Sequence, residues 1–403
     1  MHPISLHQAR ALAIHSQELT AARNFKGKAG ALSAIEEISY AQIDTLSVVN
    51  RAHHHVLWSR VDGYQLHHLH ELVKEKSVFE YWAHAAAYLP MRDYRFTIPR
   101  QEEVRASDGM WHHRNPDLIA YALDRIRAEG PLMSRDFEKN SARLYFGDNK
   151  EGWSASAISH TLFQLFMEGE LMVVSRKGFQ KVYDLTERTL PTQVDTHRPN
   201  REEYIRHLIE RDIRAHGLLK ANEIGYLIKN SAKDINRQLM QMVEAGELIA
   251  LAVEEMAQPY YAFPSALETL GAIPRERRIR ILSPFDNLII QRKRLAELFG
   301  FAYTLECYVP KDKRKVGYFS LPLLRGMEFV GQIDLKAERK SKVLWIKNLV
   351  WEEGKAEQGH LWRALASSLK DFAAFNECEG IDAEVSLPDW GKRILAWNTN
   401  EPD

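Results

Sequence analysis

Cysteine is nearly absent from these 403 residues: only Cys307 and Cys378 occur. Two isolated cysteines supply neither a disulfide framework nor a paired CxxC metal-ligand set. Long apolar runs are also missing, and none approaches the roughly 20 residues that a membrane-spanning helix needs. The opening MHPISLHQAR has neither the charged start nor the apolar core of a signal peptide. With an ordinary 45% hydrophobic and 27% charged composition, these absences set the expectation of a cytoplasmic globular protein that touches no membrane. Charge of one sign is not in excess either. Lys plus Arg and Asp plus Glu both number 54, so any nucleic-acid binding has to come from charges gathered on one face. No GxGxxG loop, Walker loop or zinc-deaminase signature occurs. Nucleotide-driven and metal-assisted mechanisms therefore lack support, and no cofactor is expected.

What the chain does contain is an internal repeat. LFQLFMEGELMVV (162–174) and LMQMVEAGELIAL (239–251) align without gaps and share the leading leucine, the glutamine and GEL. In each, apolar residues at helical spacing run into a glycine and then into an apolar stretch of strand type. Gly169 and Gly246 suit the left-handed position that ends a helix. The preceding segments agree as well. DLIAYALDRIRAEGPLMSRDFE and EEYIRHLIERDIRAHGLLKANEIGYL both predict an amphipathic helix, a glycine turn and the start of a second helix. SASAISH and SAKDINR open a third. ELMVVSRKGFQKVYDL and ELIALAVEEMAQPYYAF then read as strand, turn and strand. Three helices followed by a two-stranded wing is the winged-helix pattern.

A third, more divergent copy fits the N-terminus. LHQARALAIHSQEL and ALSAIEEISY predict helices, AQIDTL is extended, and RAHHHVLWSR is the third helix. From about residue 275 the texture changes: FAYTLECYV, VGYFSLPLL, EFVGQIDLKAE and KVLWIKNLVWEE are alternating or apolar runs between turn residues. GHLWRALASSLKDFAAFNE predicts an amphipathic helix packed on them. The expected fold is mixed α+β, with three tandem winged-helix modules and a C-terminal antiparallel β-rich domain. The corresponding segments are 1–100, 101–195, 196–274 and 275–403.

The second module's wing, VVSRKGFQKVY, carries three basic residues and no acid. Arg176 and Lys177 there can neutralise phosphates, and Phe179 can press on bases, or else pack under its own hairpin. The third module's wing, AVEEMAQ, is acidic and reads as scaffold. PKDKRKVGY and KAERKSK are further basic runs, which are usually solvated surface.

In AQIDTL, Gln42 and Asp44 flank Ile43. On an extended segment such i and i+2 side chains share a face. The pair is either the solvent side of a strand or a device for handling water and positive charge. Breaking an N-glycosidic bond in DNA develops positive charge on the sugar, which a carboxylate stabilises, and the same group can take a proton from the attacking water. Gln42 can orient that water or hold the sugar and phosphate.

AQIDTLSVVNRAHHHVLWSR, EYWAHAAAYLP, KGFQKVYDLTERTLP, LSPFDNLIIQRKRLAELFGFAYTLECYVP and GYFSLPLL together resemble the winged-helix DNA glycosylases of the AlkZ and YcaQ type. The resemblance runs over about residues 6–353. It is closest to the YcaQ branch, which has Q-x-D where the AlkZ branch has Q-x-Q. It implies a stack of winged helices forming a concave DNA-binding surface. The implied activity is excision of cationic N-alkylated purines of the N7-alkylguanine type, with unhooking of interstrand crosslinks. It places the catalytic pair on Gln42 and Asp44, and the DNA-contacting hairpin around Arg176, Lys177, Phe179 and Gln180. In one respect the chain departs from the branch: Ala85 follows His84 where a Glu often stands.

Arg51 and His54 are expected to contact DNA, and Tyr81, Trp82 and His84 to wall the lesion pocket, with core packing the alternative for Tyr81 and Trp82. His53, His54 and His55 are adjacent on a helix, about 100° apart, and do not converge on one metal ion. HHLHELVKE has Lys74 where a metalloprotease helix needs its second histidine. Asp286 and Arg292 are read as a pair fixing the entry to the β-rich domain. No lysine lies near Gln42 and Asp44 to form a Schiff base, so the enzyme expected is a monofunctional, metal-independent glycosylase. The resemblance implies alkylated or crosslinked double-stranded DNA as its partner, and a monomer is expected. The rival is a non-catalytic winged-helix transcriptional regulator, against which stands the lack of a heptad seam for dimerisation.

Overall fold

The computed structural model describes residues 1–20, 25–107, 114–137, 155–273 and 276–385. It is a mixed α/β structure of two compact units, one made of Met1–Gln65 with the chain from Ile205 onward, the other of Leu66–Tyr204. The divisions fall inside the segments 1–100 and 196–274, so chain proximity alone does not set the units.

The sequence repeat is also a structural repeat among the described residues, the first copy within Leu66–Tyr204 and the second starting at Arg201 and continuing past Ile205. The first copy has a helix Pro116–Glu129, a 3-10 turn Ser134–Asp136, a helix Ala155–Met167 and strands Leu171–Lys177 and Gln180–Leu185. The second has Arg201–His216, Ala221–Glu223, Ala232–Glu244, Ile249–Val253 and Tyr260–Ala262 in the same order. Details recur too. Leu132 bridges Tyr183, and Leu219 bridges Tyr261. The Met133 N–H donates to Asp136 Oδ2 at 2.7 Å and the Lys220 N–H to Glu223 Oε2 at 3.0 Å, closing both short turns alike. Gly169 (φ 80°) and Gly246 (φ 74°) end their helices in the left-handed region, where a side chain costs strain.

In the unit containing both chain ends, five strands order as Ile279–Ile281, Ser320–Arg325, Glu328–Glu338, Val343–Trp351 and Gly380–Ala383. Neighbours pair antiparallel except at the last edge, where Val343–Trp351 and Gly380–Ala383 run parallel. The helix Gly359–Phe375 buries Leu361, Leu365, Leu369 and Phe372 in a core with Ile333, Leu335, Leu344 and Ile346. FAYTLECYV is not a strand. Phe301 stacks on Phe329 at 4.5 Å, the Tyr303 hydroxyl donates to the Ser320 carbonyl at 2.6 Å, and Glu306–Tyr308 closes as a 3-10 turn. Its apolar alternation records aromatic insertion into a core rather than a sheet edge.

A buried ion pair ties the N-terminal helices to this region. Arg60 grips Asp286 through two hydrogen bonds, 2.7 and 2.9 Å, with both side chains fully buried. Arg60 also donates to Gln17 Oε1 at 2.8 Å, and Asp286 accepts from the Leu288 N–H at 3.0 Å. The expected partner, Arg292, instead donates to the Ile289 and Pro284 carbonyls and lies over the Tyr303 ring. Burial decides the exchange, because a fully buried carboxylate requires a fully buried cation.

Candidate active site

The helix Gly27–Ile38 ends at Ser39, whose φ of 75° turns the chain sharply. The buried Asn287 amide donates to the Ile38 and Tyr40 carbonyls at 2.9 and 3.2 Å, which fixes the start of the next segment. Ala41–Gln42 is a short strand, and residues 43–46 have no regular structure. Downstream, the Ala337 N–H donates to the Val48 carbonyl at 2.9 Å and the Asn50 N–H to Asn376 Oδ1 at 2.6 Å. The stretch holding Gln42 and Asp44 is thus a rigid bridge between a core asparagine and a sheet strand.

Gln42 is buried and Asp44 is half-buried. The strand ends between them, so the pair does not sit on a continuous extended segment. Asp44 Oδ1 accepts the Leu46 N–H at 2.7 Å, a carboxylate-closed turn that sets its side chain by a local bond. Oδ2 makes no hydrogen bond among the described residues. Among the described residues no ion pair neutralises the group, and Arg51 Nη1 donates to the Thr45 carbonyl at 2.8 Å. Burial raises the Asp44 pKa, against the lowering effects of the Leu46 N–H and the Arg51 charge. A carboxylate that is partly desolvated, anchored by one oxygen and open at the other is a stronger base than a surface aspartate.

Two neighbours come from far along the chain. The Asp44 charge acts on Cys307 and Tyr308, and with burial as the larger cause it raises both their pKa values. The Cys307 thiol therefore stays protonated near neutrality and is a poor nucleophile. Sequence reasoning missed both residues. The signal available was the basic run KDKRK between two tyrosines, but nothing in it pointed to Asp44.

A family description, "DNA glycosylase AlkZ-like", matches residues 35–375. The chain belongs to the AlkZ-like DNA glycosylase family. Among solved structures it is similar to the Streptomyces sahachiroi DNA glycosylase AlkZ, at 14% identity and a TM-score of 0.66, covering 96% of this chain and 100% of that one. At that identity the likeness speaks for the fold. This glycosylase family member thus spans the full length of its structural relative.

The remaining expected site residues divide by burial. His54 needs correction as a DNA contact: its ring is buried and its Nδ1 lies 2.8 Å from the Tyr64 hydroxyl. His53 and His55 are buried beside it. His55 Nε2 faces the Ile281 carbonyl at 2.8 Å, and burial lowers the His55 pKa to about 4. The run of three histidines is core.

Tyr81 is core as well: its hydroxyl donates to the Met167 carbonyl at 2.6 Å and its ring meets Phe166. A pocket wall needs an open face, which Tyr81 lacks. Trp82 is half-buried with the Arg100 guanidinium 5.7 Å from its ring, and His84 lies half-buried in the turn after strand Val78–Trp82. Arg176 is not available to phosphates. It is held bidentate by the buried Glu80 at 2.8 and 2.9 Å, donates to the Phe179 carbonyl at 2.7 Å, and lies 4.3 Å from the centre of the Phe179 ring. Phe179 accordingly packs on its own hairpin. Lys177 and Gln180 remain exposed at the tip. Among the described residues no group of three or more His, Cys, Asp or Glu side chains is arranged to hold a metal ion.

Proposed function

We propose that the protein hydrolyses the N-glycosidic bond of cationic N-alkylated purines, of the N7-alkylguanine type, and unhooks interstrand crosslinks made at the same atom. Asp44 is the reacting carboxylate. The observation that carries this reading is its unshared Oδ2 on a half-buried, base-strengthened group locked by the Leu46 N–H. An alkylated N7 leaves the purine positively charged, so the base departs neutral and needs no general acid. What the reaction does need is stabilisation of the positive sugar and a base for the attacking water, and one ionised carboxylate supplies both. Gln42, two residues earlier, orients that water or the sugar.

The two repeat copies are winged helices in this account, with an N-terminal relative carrying the Q-x-D pair. Lys177 and Gln180 at the hairpin tip contact the DNA backbone. The side chain of Arg176 stiffens the hairpin from beneath. Arg51 keeps the turn at Thr45 in shape and its charge complements a nearby phosphate. Water is the nucleophile in this reading, so the product is an unbroken abasic strand.

Alkylated duplex DNA treated with the protein should show no strand breaks until hot alkali is added, and then breaks at the alkylated purines. A binding-only regulator would leave the alkali pattern of untreated DNA.

A further inference from the structure

Beside Asp44 stands a loop that the mechanism above does not use. Residues 306–318 run from a 3-10 turn at Glu306–Tyr308 through a second at Lys311–Lys313 to the strand Ser320–Arg325. The loop is tightly built. The buried Glu306 carboxylate accepts the N–H groups of Lys315, Val316 and Gly317 at 2.8–3.0 Å. Asp334 accepts those of Tyr318 and Phe319 at 2.8 and 3.1 Å, and Asn348 Nδ2 donates to the Val316 carbonyl at 2.6 Å. Arg314 closes the base, donating to the Val309 carbonyl at 2.8 Å and lying 4.9 Å from the Tyr318 ring centre. A Cβ at Gly317 would fall 2.0 Å from Asp334 Oδ2, so the close approach there requires glycine.

What this frame holds outward is unusual. Tyr308 is 81% exposed and Tyr318 38%, two of the six exposed large apolar side chains among the described residues. Lys311, Lys313 and Lys315 are exposed between them. The frame and the Asp44 segment share an anchor: the strand Glu328–Glu338 binds the loop through Asp334 and the 43–50 segment through Ala337. Leu46 and Leu305 pack on the same core. An exposed aromatic ring on a loop anchored to the same strand as the Asp44 segment is suited to stacking on a base, because every base offers a π-face. Lysines flanking it suit phosphates.

We propose that residues 306–318 form a DNA-gripping arm, in which Tyr308 stacks against the nucleotide being cleaved and Lys311, Lys313 and Lys315 neutralise the phosphates next to it. This rests on Asp44 as the reacting group and names the side chains that hold the sugar against it. Tyr308 acts through its ring face rather than as a base.

The test uses the full-length protein and duplex DNA carrying N7-methylguanine, with single-turnover base release and binding to the same duplex measured across a salt series. Tyr308→Ala should slow release by about 10-fold to 100-fold, while Tyr308→Phe and Tyr308→Trp stay within about three-fold of wild type. Lys311→Ala, Lys313→Ala and Lys315→Ala combined should weaken binding at least about ten-fold and flatten the log–log salt slope by about two to three. All of these side chains are exposed, so folding is not at stake. A wild-type rate in Tyr308→Ala, or a wild-type salt slope in the lysine variant, overturns the proposal. Asp44→Asn measured in parallel separates the two assignments. Loss in that variant with none in Tyr308→Ala condemns the arm alone. Equal release by Asp44→Asn and wild type condemns the role of Asp44, and the salt slope still decides the arm.

Discussion

The chemistry proposed for Asp44 rests on its partial burial with no ion-pair partner among the described residues. A direct pair with Arg51 would make the carboxylate weakly basic; Arg51 Nη1 instead donates to the Thr45 carbonyl, and its charge only moderates the effect of burial. A carboxylate with a raised pKa loses its ionised form at a higher pH than an ordinary aspartate. If ionised Asp44 drives base release, the single-turnover rate, corrected for spontaneous loss, should fall on the acid side with a midpoint above 3.8, the unperturbed value. A midpoint at or below 3.8 would remove the burial argument. The Q-x-D pair itself was legible in the sequence, but its geometry was not. A two-residue strand followed by a side-chain-closed turn breaks the i, i+2 relation that an extended segment implies.

At the scale of elements, two helices and the hairpin of each repeat copy followed from periodicity, whereas the second helix expected between them is, among the described residues, a 3-10 turn at Ser134–Asp136 and at Ala221–Glu223. Long-range charge pairing was not readable. Arg176 looked like a phosphate ligand because its neighbours in sequence are basic, yet Glu80 claims it. Asp286 looked like a partner for the adjacent Arg292, yet Arg60 claims it. In both cases a buried acid selects its cation from another element, and sequence distance gives no hint of it. The Arg60 to Asp286 link should carry much of the fit between the N-terminal helices and the sheet region. Arg60→Met leaves a buried, unpaired carboxylate and should cost about 3–5 kcal/mol in urea unfolding. A loss under about 1 kcal/mol would show that water or another group compensates.

For the whole molecule, the buried histidines make stability depend on pH. Burial lowers the pKa of His55 to about 4 and that of His216 well below 6.5. The unfolded chain takes up protons from about pH 6.5 downward while the folded chain resists, so their stabilisation is complete above pH 6.5 and lost as pH falls toward 4. Melting temperature should therefore drop steadily between pH 6.5 and 4.5, and His55→Gln should flatten part of that slope. A level profile would mean that the histidines protonate in place. The family match over residues 35–375 sets the class of chemistry, and the likeness along the whole chain speaks for the fold.

The most direct measurement is single-turnover release of N7-methylguanine from duplex DNA by wild-type protein and by Asp44→Asn, with duplex affinity determined for both. Asn preserves the shape and the oxygen that accepts from Leu46 but cannot hold a negative charge. Release should fall at least about 100-fold with affinity within about three-fold of wild type. Release by Asp44→Asn at the wild-type rate would contradict the account.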